Sequence, residues 1–194
     1  PFSIDPHVVQ TPSGLYIFYC NNAYEGERAG TRIFCDRMTA PDQLEGHPQC
    51  VVEPTLDEEI FMRDRFRPGQ HWHTIEGAFY FFHEGYHYLM YSGACYQNPT
   101  YFIGYCTAHA PQVADLRTLP WQKFPDAHTY LPLMKKNAFM EGMGHNSVLF
   151  DGGKCYIVYH GRDLSDAQNP VDTRCARIDE MHVDQGRLSV TPTP

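Results

Sequence analysis

Two carboxylates and a histidine stand at nearly the same place in three similar stretches of this chain. They are Asp5 in SIDPHVV, Glu76 in HWHTIEGAFYFF and His145 in FMEGMGHNSVLF. A carboxyl group set among aromatic side chains loses hydration, and a second carboxylate beside it adds like-charge repulsion. Both effects raise its pKa and leave it able to donate a proton near neutral pH. Glu76 has Trp72 four residues ahead of it and AFYFF just behind it. Asp5 supplies the second charge if the two stretches meet in space. Each residue also has a plainer reading: Glu76 as a strand-end carboxylate bonded to backbone, Asp5 as an Asp-Pro turn initiator, His145 as a satisfied core histidine.

The elements that must position them are strands. Alternating Tyr, Phe and β-branched residues between short turn signals read as an antiparallel meander over AFYFF, YHYLMYS and YFIGYCTA. SIDPHVV and LYIFYCNN flank a Thr-Pro-Ser-Gly turn, TRIFCDRM (31–38) is a further strand, and FMEGMGHNSVLF and KCYIVYHGRD flank Asp-Gly-Gly. Two more strands close the chain around Asp-Gln-Gly. The stretch 56–70 reads as a long solvated surface connection and 109–137 as a Pro-punctuated one. A helical period is almost absent, so the fold class is all-β.

Three blocks share one layout: a polar residue, a strand, a Gly turn and a strand ending in Tyr. Aligned on Tyr19, Tyr91 and Tyr159, Asp5 lies 14 residues before its tyrosine, Glu76 lies 15 before and His145 lies 14 before. Repeats of short strands at this period suit the blades of a β-propeller, whose innermost strands all face one axis. Equivalent slots then converge although they are far apart in sequence.

Composition narrows the rest. At 194 residues one domain is the prior, here a single domain over 1–194, and 14% aromatics with 15 Gly and 15 Pro suit many short strands. A formal charge of -8 with no basic patch argues against nucleic acid and favours an uncharged ligand such as a sugar. No apolar run is long enough for a membrane-spanning helix. Seven cysteines without a C-x-x-C pair point to reduced thiols, five of them in strands. With no signal peptide visible at PFSIDP, a cytoplasmic location is expected.

The order Asp-Pro, Glu-Gly in an aromatic blade, Gly-x-Gly-His with Asn-Ser-Val, then Tyr-His resembles glycoside hydrolase family 43, the five-bladed β-propeller glycosidases. The resemblance runs over essentially the whole chain. It implies an inverting hydrolase of arabinofuranosyl or xylosyl linkages, acting on oligosaccharides or polysaccharides of plant origin. It further implies Glu76 as general acid, Asp5 as the carboxylate that tunes and orients it, and His145 on the axis near a calcium or sodium ion. No organic cofactor is implied. Arg174 looks like the family's arginine near the bound sugar, with a surface charge as the alternative. Trp72 and His71 form either a stacking wall for a sugar face or a plug beneath the loop. Arg162 and Asp163 either line the same mouth or pair on the rim.

The family's general base is an Asp some two blades ahead of Ile-Asp-Pro, and here that motif begins at residue 4. About three blades are therefore expected, forming an incomplete propeller, with the base supplied by a missing N-terminal part or another copy. Open blade edges would otherwise leave strand groups unpaired. Two rival readings remain: a retaining fructosidase of the related five-bladed clan, and a sugar-binding propeller without catalysis.

Overall fold

The computed structural model describes residues 2–169 and 171–194. Among them the regular structure is β-strand apart from two single 3-10 turns, Asp57–Glu59 and Leu164–Asp166. The chain is all-β, as its sequence pattern implies.

The first blade consists of β1 (Ser3–Thr11), β2 (Gly14–Ala23) and β3 (Gly30–Ala40), with the short β4 (Gln43–Leu44) and β5 (Gln49–Val52) both paired to β3. After β6 (Ile60–Met62) comes the second blade: β7 (Trp72–His83), β8 (Tyr86–Gly93), β9 (Phe102–His109) and β10 (Gln122–Lys123). The third is β11 (Met140–Asp151), β12 (Lys154–Asp163), β13 (Cys175–Asp184) and β14 (Arg187–Val190). Strands within each blade run antiparallel in sequence order. A short parallel pairing of Gly30 and Thr31 with His73 and Thr74 joins the first two blades. Gly30 is required there, because a Cβ would lie 2.1 Å from the His73 carbonyl oxygen.

Turn chemistry sets the registers. Glu84-Gly85 and Gln185-Gly186 are two-residue loops with φ above zero at both positions, which matches the twist of the strands they join. Burial explains the uneven strand patterns. The second blade is covered on both faces, so YHYLMYSG is apolar almost throughout and nearly all buried. Tyr80, Leu89 and Tyr91 pack toward Phe18, Ile33 and Cys35 of the first blade. Phe81, Tyr88 and Met90 pack toward Met143, Ile157 and Tyr159 of the third. The outer blades alternate instead, and β1 and β13 leave Val8 and Ile178 exposed. Of the five cysteines expected in strands, Cys20, Cys35, Cys106 and Cys155 lie in strands and Cys95 just past β8, and all five are buried.

The stretch 56–70 departs from the solvated loop expected of it. It contains a 3-10 turn and β6, and its Glu59 is fully buried. The Glu59 carboxylate accepts from the backbone N–H of Thr55 and Leu56 and from Lys123 Nζ at 2.6 Å.

Candidate active site

The three candidate polar residues are held at β-bulges that recur from blade to blade. In β1 the pairing passes from Ile4 opposite Cys20 to His7 opposite Phe18, so Asp5 and Pro6 together face Tyr19. In β7 it passes from Glu76 opposite Ser92 to Phe79 opposite Met90, so Gly77 and Ala78 face Tyr91. In β11 it passes from Gly144 opposite His160 to Ser147 opposite Val158, so His145 and Asn146 face Tyr159. The first residue of each bulge has left-handed backbone, with φ of 54° at Asp5, 62° at Gly77 and 53° at His145. The tyrosines that align the sequence repeat are the residues facing the bulges.

This geometry corrects the equivalence expected from the sequence. Gly77 occupies the slot of Asp5 and His145, and Glu76 stands one residue ahead of it. A bulge re-aims its side chains relative to the regular strand, so Glu76 projects differently from the other two. The bulges also interlock. The Gly77 N–H donates to Asp5 Oδ2 at 3.1 Å, and the His145 N–H donates to Ser92 Oγ at 2.7 Å. The His145 ring lies against Gly77, where a Cβ would meet it at 3.3 Å.

Glu76 is half-buried, and Tyr101 donates its hydroxyl proton to Glu76 Oε1 at 2.6 Å. Burial pushes the Glu76 carboxyl above its usual range, and the charge of Asp5 adds to the rise. Tyr101, His145 and Arg174 oppose it. Burial is the largest of these influences, so the site favours a protonated carboxyl compared with water.

Tyr101 itself is fully buried and stacks on His160 with centroids 5.8 Å apart and planes 11° from parallel. Burial and the nearby Arg174 pull His160 down to about 4, so the ring is neutral at pH 7. The Arg174 guanidinium lies 4.9 Å over the Tyr96 ring, 3.5 Å from His160 Nε2, and donates from Nε to Asp172 Oδ2 at 2.8 Å. Arg174 therefore reaches the site through the Tyr101–His160 stack, as a charge within electrostatic range of Glu76.

The other candidates are placed differently. Arg162 is buried against Gly142, and its Nη1 and Nη2 donate to the Tyr96 and Gln97 carbonyls at 3.3 Å. It ties down the loop ahead of Tyr101. Asp163 pairs with Arg177. Trp72 is 3% exposed and covered by the Arg65 guanidinium at 4.9 Å, with Tyr24 and Phe66 against it. No indole face is open to a sugar, so Trp72 takes the plug position. His71 is half-buried and accepts from the Asp64 N–H at 3.1 Å. An ion cage does not assemble around His145: among the described residues no three His, Cys, Asp or Glu side chains gather as ligands. His145 is exposed, so an ion beside it would be held mostly by water.

Three participants escaped the sequence reading. Tyr101 follows Asn-Pro-Thr and was read only as a strand residue. Ser92 is the last residue but one of β8, and His160 is visible only as the second half of Tyr-His. Their spacing to Glu76 carries no period: Ser92 and Tyr101 come from β8 and the loop ahead of β9 of the same blade, and His160 comes from the third blade.

Bulged inner strands that bring two carboxylates together on a set of antiparallel blades define a β-propeller with a candidate acid-catalytic centre. Residues 1–187 match the sequence model of the glycosyl hydrolases family 43, and the chain belongs to that family. Among solved structures, a thermostable family-43 glycoside hydrolase is 30% identical with a TM-score of 0.72, covering 99% of this chain and 60% of that one. The α-L-arabinofuranosidase from Lactobacillus brevis is 22% identical with a TM-score of 0.80, covering 100% of this chain and 57% of its own. An endo-1,4-β-xylanase from Bacteroides thetaiotaomicron is 22% identical with a TM-score of 0.70, covering 98% and 59%. The last two similarities speak for the fold alone. The chain spans about three-fifths of the length of these structures. No curated protein matches it.

Proposed function

We propose that this chain carries the acid side of a glycoside hydrolase that cleaves arabinofuranosyl or xylosyl linkages with inversion. The observation that carries the reading is Glu76: a half-buried carboxyl of raised pKa, beside Asp5 and anchored by Tyr101, in the Glu-Gly motif of the family. A carboxyl held protonated near neutral pH is what protonation of a glycosidic oxygen requires. Asp5 serves by orienting the Gly77 backbone and by raising the proton affinity of Glu76. Arg174 and His145 border the sugar site.

Inversion needs a second carboxylate to activate water, about 6.5–9.5 Å from the acid. Asp5 is committed to the Gly77 N–H, so the base in this reading comes from the portion of the propeller that the related structures have beyond the span matched here. The substrate class follows the names of those relatives, an arabinofuranosidase and an endo-xylanase.

Proton NMR of the first-formed product tests the reading, using the protein that carries this chain and aryl arabinofuranosides and xylosides. The inverted anomer is the expected result. First formation of the retained anomer would overturn the mechanism, and sugar binding without turnover would replace catalysis by recognition.

A further inference from the structure

We infer that Tyr101 is a positioning residue that keeps Oε1 of Glu76 occupied as an acceptor, so that the transferable proton resides on Oε2. The inference rests on the reading of Glu76 as the general acid. The Tyr101 hydroxyl donates to Oε1 at 2.6 Å. A carboxyl oxygen that accepts a short hydrogen bond is the carbonyl oxygen of the protonated acid, and the hydroxyl of the acid is then the other oxygen.

The ring that carries this hydroxyl has little freedom. It is fully buried. On the third blade it meets Gly144, where a Cβ would stand 1.9 Å from a ring carbon. Its face stacks on His160, and its backbone N–H donates to the Asn98 carbonyl at 3.2 Å. Glycine at 144 is thus a spatial requirement of the tyrosine, and the tyrosine is a spatial constraint on Glu76. The third blade sets the rotamer of an acid that stands on the second.

The surrounding charges are few and come from several elements. Asp5 faces Glu76 from β1, His145 from β11 and Arg174 from just ahead of β13. Ser92 lies beside the Tyr101 hydroxyl. Burial holds the Tyr101 phenol well above its ordinary range, so it stays a donor wherever the protein is folded and active.

During the step, the Oε2 proton passes to the glycosidic oxygen, the electron pair of the breaking C–O bond leaves with that oxygen, and water activated by the base bonds to the anomeric carbon and gives a proton to that base. Glu76 is left as a carboxylate, with part of the new charge on Oε1. The Tyr101 bond strengthens as that charge grows, which places its contribution in the transition state more than in the ground state.

Tyr101→Phe keeps the ring and removes only the donor. In the protein carrying this chain, kcat on a phenyl glycoside should fall roughly 10- to 100-fold with KM unchanged. A dinitrophenyl glycoside, whose leaving group needs no proton, should be hydrolysed at nearly the parent rate. The basic limb of the rate profile should move to higher pH, because the lost bond favoured ionised Glu76. Glu76→Gln is measured alongside. Full activity of Glu76→Gln on the phenyl glycoside would overturn the assignment of Glu76 itself. An impaired Glu76→Gln beside a Tyr101→Phe enzyme of parental kcat would overturn the Tyr101 inference alone. Equal losses on both substrates with an unmoved pH limb would reduce Tyr101 to a structural role and overturn it as well.

Discussion

Glu59 and Glu76 are both shielded carboxylates at the border of the first and second blades, and they are built for opposite ends. Glu59 has no exposed surface, and its two oxygens are used in full: Oε2 takes the N–H groups of Thr55 and Leu56, and Oε1 takes Lys123. Lys123 in turn donates to the Thr55 hydroxyl at 2.9 Å. Glu76 keeps partial access to solvent, has a single neutral donor, and stands beside the like charge of Asp5. Burial alone would rank Glu59 as the more unusual carboxylate. The donor inventory reverses the ranking, because a carboxylate ringed by an ammonium and two amides is held in place. A carboxylate with one hydroxyl for company can take up and release a proton.

The comparison breaks most readily at Glu76. Glu76→Gln should lower kcat on poor leaving groups by about 10²- to 10⁴-fold, the usual contribution of a positioned general acid. Steady-state kinetics over a leaving-group series would register it, and loss should grow with leaving-group pKa. Glu59 is tested through its partner. Lys123→Met leaves a buried, unpaired carboxylate and should cost about 3–5 kcal/mol of stability in urea unfolding. The specific activity of the folded fraction should stay at the parent level. A stable Lys123→Met protein with lost activity would mean that the two carboxylates had been assigned the wrong way round.

The sequence carried the repeat but misplaced the slot of Glu76 within it. Tyr19, Tyr91 and Tyr159 are legible because each faces the bulge of the inner strand of its blade. The off-by-one spacing of Glu76 was the trace of a bulge: two residues of the inner strand share one partner, and the left-handed slot falls on Gly77. Glu59 was unreadable as a buried charge, because its counter-ion lies 64 residues on, in the two-residue strand β10. Trp72 looked available because nothing local tells that Arg65, Phe66 and Tyr24 fold over it. Tyr101 was silent for the same reason. Its bond to Glu76 spans 25 residues within one blade, and its packing on Gly144 and His160 crosses to the next.

Asp5→Asn sharpens the contrast from the side of charge. An asparagine carbonyl oxygen can still accept from the Gly77 N–H, so the bulge is retained while the like charge disappears. Glu76 should then ionise more easily, and the basic limb of kcat/KM should move to lower pH, opposite to the shift expected for Tyr101→Phe. The pH dependence of kcat/KM for both variants is the measurement. Shifts in the same direction would remove Asp5 as a tuning carboxylate.

The smallest effect concerns stability, and its sign follows from linkage. Glu76 has a folded-state pKa above that of the unfolded chain, where a free Glu titrates near 4.3. The native state therefore holds the proton more tightly. As pH rises above the unfolded value, the unfolded chain ionises first, and stability is lost until Glu76 ionises in the native state too. Glutamine has no such proton to lose and can still accept from Tyr101. The urea midpoint of Glu76→Gln relative to the parent should thus rise between pH 4 and pH 8. A difference that is flat with pH would mean that the folded site imposes no strain on ionised Glu76. The cost to the parent is the thermodynamic counterpart of its raised proton affinity, since a site that favours the protonated carboxyl makes its ionisation unfavourable in the fold.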